Sequence, residues 1–222
     1  TAANQTPFSF ANGFSRGRIL YKQSEIGNYG VIAKIAINVS AAANGILGIP
    51  IKIYIKQTDL DTLKTTDVFD WDNEIADATV VLDAQTYFNT TGWVELPINI
   101  PLNYTSGNIL VYTESNCSGT NCGAISGGTT YPTFKISSSA NKVQSKTNNN
   151  TPTFTGTWGA PNANRWVMKF FVADMSCASE RIPVQIHIPD KPTYDVETEA
   201  FVYPITIPQS TQNCALYSEN IV

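Results

Sequence analysis

Apolar residues recur at every second position through much of this chain. Ile49, Ile51, Ile53 and Ile55 alternate with Pro50, Lys52, Tyr54 and Lys56, and Val94, Leu96, Ile98 and Ile100 alternate with Trp93, Glu95, Pro97 and Asn99. Val31, Ala33, Ile35, Ile37 and Val39 form one face of a further segment, with Lys34 and Asn38 opposite, and Trp166, Met168, Phe170 and Val172 alternate against Arg165 and Lys169. A period of two with one greasy and one wet face is the signature of antiparallel strands. Shorter strands are predicted at Gly17–Lys22, Ala78–Leu82, Asn108–Thr113 and Thr133–Ser137. Pro50 and Pro97 place their strands at a beginning or an edge, because proline cannot donate to the ladder. Helix is confined to at most one turn within Thr58–Ala78 and one at Ser24-Glu25-Ile26, where Ser24 is a suitable cap.

About eight strands before residue 175 predict an all-β protein, an antiparallel jelly-roll-like β-sandwich with two apolar faces meeting inside. Three connections are long: Thr58–Ala78, Glu114–Tyr131 and Ser138–Pro161. Long connections in a compact domain usually move or bind, so contacts with a ligand are expected there. At 222 residues the chain is long enough to bury a core without metal or disulfide help.

Composition narrows the function classes. Charged residues make up only 14%, and Asn, Thr, Ser and Gln keep the surface wet instead, as is common on secreted proteins. A net charge of −4 and a pI near 4.9 argue against nucleic acid, which needs clustered Lys and Arg. No apolar run approaches the roughly 20 residues of a membrane span, so no direct membrane insertion is expected. Thr1–Gln5 carry neither a basic nor an apolar leader pattern, and Ser218–Val222 read as an arbitrary stop; the chain is expected to be a fragment.

Candidate chemistry is sparse. His187, the one histidine, falls on a polar-facing strand position, and no Gly-x-Ser-x-Gly elbow accompanies it, so no catalytic residue is assigned and the chain is not expected to be an enzyme. Asp67, Asp70, Asp72 and Glu74 crowd one loop rather than facing each other across a cleft, which reads as a solvated acidic segment. They are the weak candidates for a structural calcium ion, though the spacing lacks the glycine of an EF-hand loop; no other cofactor is expected. Trp71 and Trp158 lie in loops and Tyr131 borders the small cysteine loop, so these three are the candidates for stacking on a glycan, with folding back over a sandwich edge as the plainer role. Trp166 alternates inward as core. The glycine-rich run Gly123–Gly128 lacks the context of a phosphate loop and reads as a turn.

Cys117, Cys122, Cys177 and Cys214 make an even set. Cys117 and Cys122 enclose a short polar turn that can close on itself, which leaves Cys177 and Cys214 to staple the tail. Four cysteines allow three connectivities, and sequence does not choose among them. A zinc site would want a C-x₂-C spacing that is not present.

After Asp174 the texture changes. Ile182, Val184, Ile186 and Ile188 alternate with polar partners, Pro189-Asp190-Lys191-Pro192 makes a break, and Phe201, Tyr203, Ile205 and Ile207 form one more strand. Two strands cannot bury a core alone, so residues 176–222 either pack on the sandwich of residues 1–175 or open a further domain.

The order of motifs resembles a known family. Arg18-Ile19-Leu20-Tyr21 with Ser24-Glu25-Ile26-Gly27 is followed by Val31–Val39, Ile51–Lys56, Gly92-Trp93-Val94-Glu95-Leu96 and Gly107–Val111. This is similar to the jelly-roll module repeated in secreted and surface-attached proteins of Bacteroidota, many exported by the type IX secretion system. Cys177-Ala178-Ser179-Glu180-Arg181-Ile182-Pro183-Val184 resembles the segment that leads from such modules into an immunoglobulin-like repeat. The resemblance implies a non-catalytic, extracellular module of a large cell-surface adhesin, for attachment or gliding, presenting loops to a surface glycan or another extracellular ligand beside neighbouring domains of its own protein. It further implies O-glycosylation at Thr62 within Asp61-Thr62-Leu63. The alternatives are an accessory carbohydrate-binding domain of a secreted hydrolase and a structural subunit of a surface filament, whose last strand would pair with a neighbour's sheet edge.

Overall fold

The protein is described by a computed structural model that covers residues 3–4, 8, 10, 12–44, 48–117, 131–173 and 217–221. It is all-β and antiparallel, a curled sheet that folds over as a jelly-roll-like sandwich. The strands are β1 (Ala3–Asn4), β2 (Phe14–Tyr21), β3 (Gly30–Ala41), β4 (Ile49–Thr58), β5 (Thr79–Thr86), β6 (Gly92–Tyr104), β7 (Asn108–Asn116), β8 (Thr133–Asn148), β9 (Asn162–Trp166), β10 (Met168–Ala173) and β11 (Tyr217–Ile221). Two short helices join them, α1 (Gln23–Ile26) and α2 (Trp71–Ile75). Among the described residues no helix is long and apolar enough to cross a membrane.

One sheet runs β11-β10-β3, with β6 on β3, and the other runs β8-β2-β7-β4-β5. Strand β8 belongs to both. Its first residues pair with β1, β3 and β9, and Val143–Asn148 pair with β2. Between the two parts the register shifts and Asn141 takes a φ of 56°, a left-handed position that asparagine tolerates. The expected long connection Ser138–Pro161 is therefore strand for nearly half its length. Its polar sequence concealed this, because Gln144 and Lys142 are buried with backbone partners rather than packed as grease.

The core forms where the expected faces meet. Ile49, Ile51, Ile53, Ile55, Trp166, Met168, Phe170 and Val172 all join one buried cluster with Ile19, Tyr21, Ile109, Val111 and Phe134. Phe134 packs its ring 4.7 Å from Trp166 and edge-on to Phe88 at 5.1 Å. Tyr21 meets its one polar need by donating from Oη to the Trp166 carbonyl at 2.9 Å.

Two strand readings need correction. On β3 it is Ile32, not Val31 and Ala33, that joins Ile35, Ile37 and Val39 in the core. A bulge between Ile32 and Lys34 shifts the register against both β6 and β10, which inverts the facing of everything before it. On β6, Ile100 is 57% exposed, because pairing with β3 jumps from Pro97 to Leu102 and the intervening residues leave the ladder. The prolines fall as expected: Pro97 lies on β6, which pairs only with β3 among the described strands, and Pro50 precedes the first β4–β7 pair.

Helix α1 starts from Lys22 rather than from a Ser24 cap; the Glu25 carboxylate accepts the Lys22 amide at 2.8 Å. Glu25 also takes both arms of Arg165, at 2.7 and 2.8 Å, which ties α1 to β9. Beyond residue 173, β11 pairs along β10 from Ala173–Tyr217 to Lys169–Ile221. The strands expected at Ile182–Ile188 and Phe201–Ile207, and His187, lie outside the described residues.

Gly30 sits where β3 meets the end of β10, and a Cβ there would stand 2.2 Å from the Ala173 carbonyl oxygen. We expect Gly30→Ala to lose about 2 kcal/mol in urea unfolding, since backbone rather than a flexible side chain must give way. The Glu25 carboxyl titrates below its ordinary range: burial pushes it up, but the Arg165 bonds and the Lys22 amide outweigh that. A carboxyl lowered in the folded state stabilises above its unfolded value, about pH 4.3, and ceases to as pH falls through the folded one. The stability gap between the native chain and Glu25→Gln should accordingly be widest at neutral pH and shrink in acid, as followed by thermal melts across pH.

Candidate functional site

Strand β2 is buried at every one of its eight positions, although one face carries two arginines. Its inward residues Ile19 and Tyr21 join the main core. Arg16, Arg18 and Leu20 point outward, alongside Tyr54 of β4 and Leu110, Tyr112 and Glu114 of β7. A charged sheet face stays buried only if something covers it and supplies partners. The cover consists of residues 59–78 and 149–161.

The two covering segments are joined to each other. Val68 and Thr157 make an isolated β-bridge, the Phe69 amide donates to the Gly156 carbonyl at 2.9 Å, and the Trp158 amide donates to the Asp67 carbonyl at 2.9 Å. Leu63 is buried against Leu20, Tyr54, Leu110 and Tyr112, and Trp71, Ile75, Ala78 and Val80 pack on the same cluster. Helix α2 begins at Asp70, whose carboxylate accepts the Asn73 amide.

Arg18 fixes this cover to the sheet. Its Nη2 lies 2.6 Å from Asp67 Oδ2, its Nη1 donates to Glu74 Oε2 at 3.1 Å, and Nε and Nη2 both reach Gln144 Oε1. The guanidinium also lies 4.7 Å from the centroid of Trp158, whose Nε1 donates to Glu74 Oε1. Gln144 completes the anchoring by donating its amide to the carbonyls of Lys64 and Gly159, one in each covering segment.

One part of the outer face stays open. A cleft of about 300 Å³ is lined by Arg16, Phe69, Asp70, Trp71, Asp72, Pro152, Thr153 and Phe154. Phe69 and Trp71 lie nearly parallel, 6.2 Å apart, and Phe154 is 5.6 Å from Phe69. Arg16 carries its guanidinium 5.1 Å from the Trp71 centroid and 5.8 Å from that of Phe154. Its Nη2 pairs with Glu114 at 2.8 Å, and Nη1 donates to the carbonyls of Ser15 and Ser115. Tyr54 Oη donates to the other Glu114 oxygen, and burial together with that carboxylate raises the Tyr54 pKa well above the usual phenol range. Burial lowers the Arg16 pKa while Glu114 opposes it.

The residues singled out from the sequence separate here. Trp71 lines the cleft. Trp158 is only 2% exposed and works from below, holding Arg18 and Glu74, so its ring offers no face to a ligand. Tyr131 packs against Phe10 in the main core, a place apart from this cleft. Of the four acids, Asp67 and Glu74 neutralise Arg18, Asp70 caps α2, and Asp72 is exposed beside the cleft. No three metal-ligating side chains converge among the described residues. Thr62 is exposed, between Asp61, whose carbonyl accepts Lys142 Nζ, and the buried Leu63. Cys117 packs against the core, and Cys122, Cys177 and Cys214 lie outside the described residues. Sequence reading missed Arg16, Phe69 and Phe154. The available signal was two arginines on one face of a strand flanked by apolar residues.

Arg18→Met would leave Asp67 and Glu74 without their counter-charge beneath the cover. The expected loss is about 3 kcal/mol in chemical denaturation, toward the low end for a buried pair because Asp67 is partly exposed. Proteolysis should then cut first within residues 59–78 or 149–161.

No protein-family model matches the chain, and no curated protein or solved structure is significantly similar to it.

Proposed function

We propose that the chain is a non-catalytic, extracellular module of a bacterial cell-surface adhesin that holds its ligand, a surface glycan, in the outer-face cleft. The observation that carries this reading is the cleft itself: three aromatic rings of the cover beside a guanidinium pinned to the sheet, with polar groups around them. Aromatic walls with a few fixed polar groups are how ligand sites are built. Binding rather than hydrolysis is favoured by the placement of the carboxylates. Asp70 and Asp72 both sit at the start of α2, on one wall, while Pro152, Thr153 and Phe154 supply the other lining segment. Glycoside cleavage needs two carboxyl groups on opposite sides of the bond.

The setting agrees with the low charge content and with the resemblance to surface modules of Bacteroidota. The exposed Thr62 stands on the same cover, where a sugar would shield the loop. A second reading, an accessory carbohydrate-binding domain of a secreted hydrolase, uses the same cleft and is favoured by the same three rings. The two differ in the domain that accompanies the module.

A glycan array carrying bacterial and host surface glycans tests the proposal. The native chain should bind a subset of glycans, and Phe154→Ala should weaken that binding by at least about fivefold, the scale of one lost contact residue, with little change in melting temperature. Equal binding by the variant would remove the cleft from the reading. Release of reducing ends from any bound glycan would overturn the non-catalytic assignment.

A further inference from the structure

We infer that the cleft selects an uncharged sugar unit, with Arg16 donating from its floor and Asp72 accepting at its rim. This rests on the reading of the cleft as a glycan site and adds the class of sugar.

Arg16 is the deciding group. Its side chain is 8% exposed, yet it lines the cleft. Among the described residues Glu114, Ser15 and Ser115 take three of the five N–H groups that a guanidinium carries. The donors that remain are what Arg16 has to offer to the cleft. They call for an acceptor oxygen on the ligand. Because the bonds to Glu114, Ser15 and Ser115 hold the guanidinium, it cannot swing away to make room for a positive charge. A protonated amino sugar would bring further donors to a floor where Arg16 itself supplies only donors.

The rim excludes the opposite sign. Asp70 and Asp72 both line the cleft, and Asp70 is held there by its bond to the Asn73 amide. A uronic acid or any other anionic sugar would bring its carboxylate toward these two. What satisfies both ends is a molecule with acceptor oxygens for the floor, hydroxyl donors for the rim, and apolar C–H groups for the rings of Phe69, Trp71 and Phe154. A neutral pyranose has all three. The volume, about 300 Å³, is at the small end of ligand sites, which suits one or two sugar units rather than a long chain.

Asp72 gives a clean probe, because it is exposed and its side chain caps nothing. NMR titrations of the native chain with a methyl hexopyranoside, a methyl hexosaminide bearing a free amine, and a methyl hexuronate should show the neutral sugar binding at least about tenfold tighter than either charged one. Asp72→Ala should weaken the neutral sugar about fivefold at unchanged melting temperature, and Asp72→Lys should improve the hexuronate relative to the neutral sugar. A charged sugar that binds the native chain as well as the neutral one overturns the selectivity while leaving the cleft as a binding site. Failure of all three sugars, with array binding intact, overturns the class of sugar alone; failure of both experiments overturns the cleft as a glycan site.

Discussion

The structure is governed by the cost of burying charge on the outer face of β2. Two guanidiniums lie under cover there, and an unpaired buried charge is among the most expensive defects a fold can carry. Arg16 is answered within the sheet by Glu114, and Arg18 is answered from outside it by Asp67 and Glu74. The difference between these two solutions organises the face. Because Arg18 draws its partners from residues 59–78, that segment must lie down on the sheet. Because Arg16 has its counter-charge within the sheet, it draws no acid from the cover; only the rings of Trp71 and Phe154 lie against it, and the cleft opens there.

Packing then reinforces electrostatics. The covering segments bring Leu63 and the ring of Trp71 onto Leu20, Tyr54, Leu110 and Tyr112, a small second core on the side of the sheet that a simple sandwich would leave wet. The aromatic rings serve twice, as apolar filling and as faces for the arginines. The protein thus has three layers over β2, β7 and β4: the main core, the sheet, and the cover.

How much of this the sequence disclosed follows from what each residue's neighbours are. The isoleucines of β4 and the run from Trp166 to Val172 keep strict alternation because the extra residues in their pairings fall on the neighbouring strands, and they fell in the core as their period requires. Alternation failed on β3 and β6 where irregular pairing changes the phase, since extra residues in a ladder leave no compositional trace. Strand β8 hid because its buried residues include Lys142 and Gln144, whose needs are met by backbone carbonyls of distant segments. At the cleft, Trp71 was legible as an unusual loop tryptophan. The different fate of Trp158 depends on Glu74 and Arg18, 84 and 140 residues away along the chain, which no local pattern encodes.

Gln144 binds Lys64 with one hand and Gly159 with the same amide group, so a single side chain counts the length of both covering segments. Neither segment can be lengthened, shortened or rebuilt by itself without disturbing the other's anchor. Any diversification of this outer face, by nature or by an engineer, has to treat the pair as one exchangeable cassette and leave the glutamine in place.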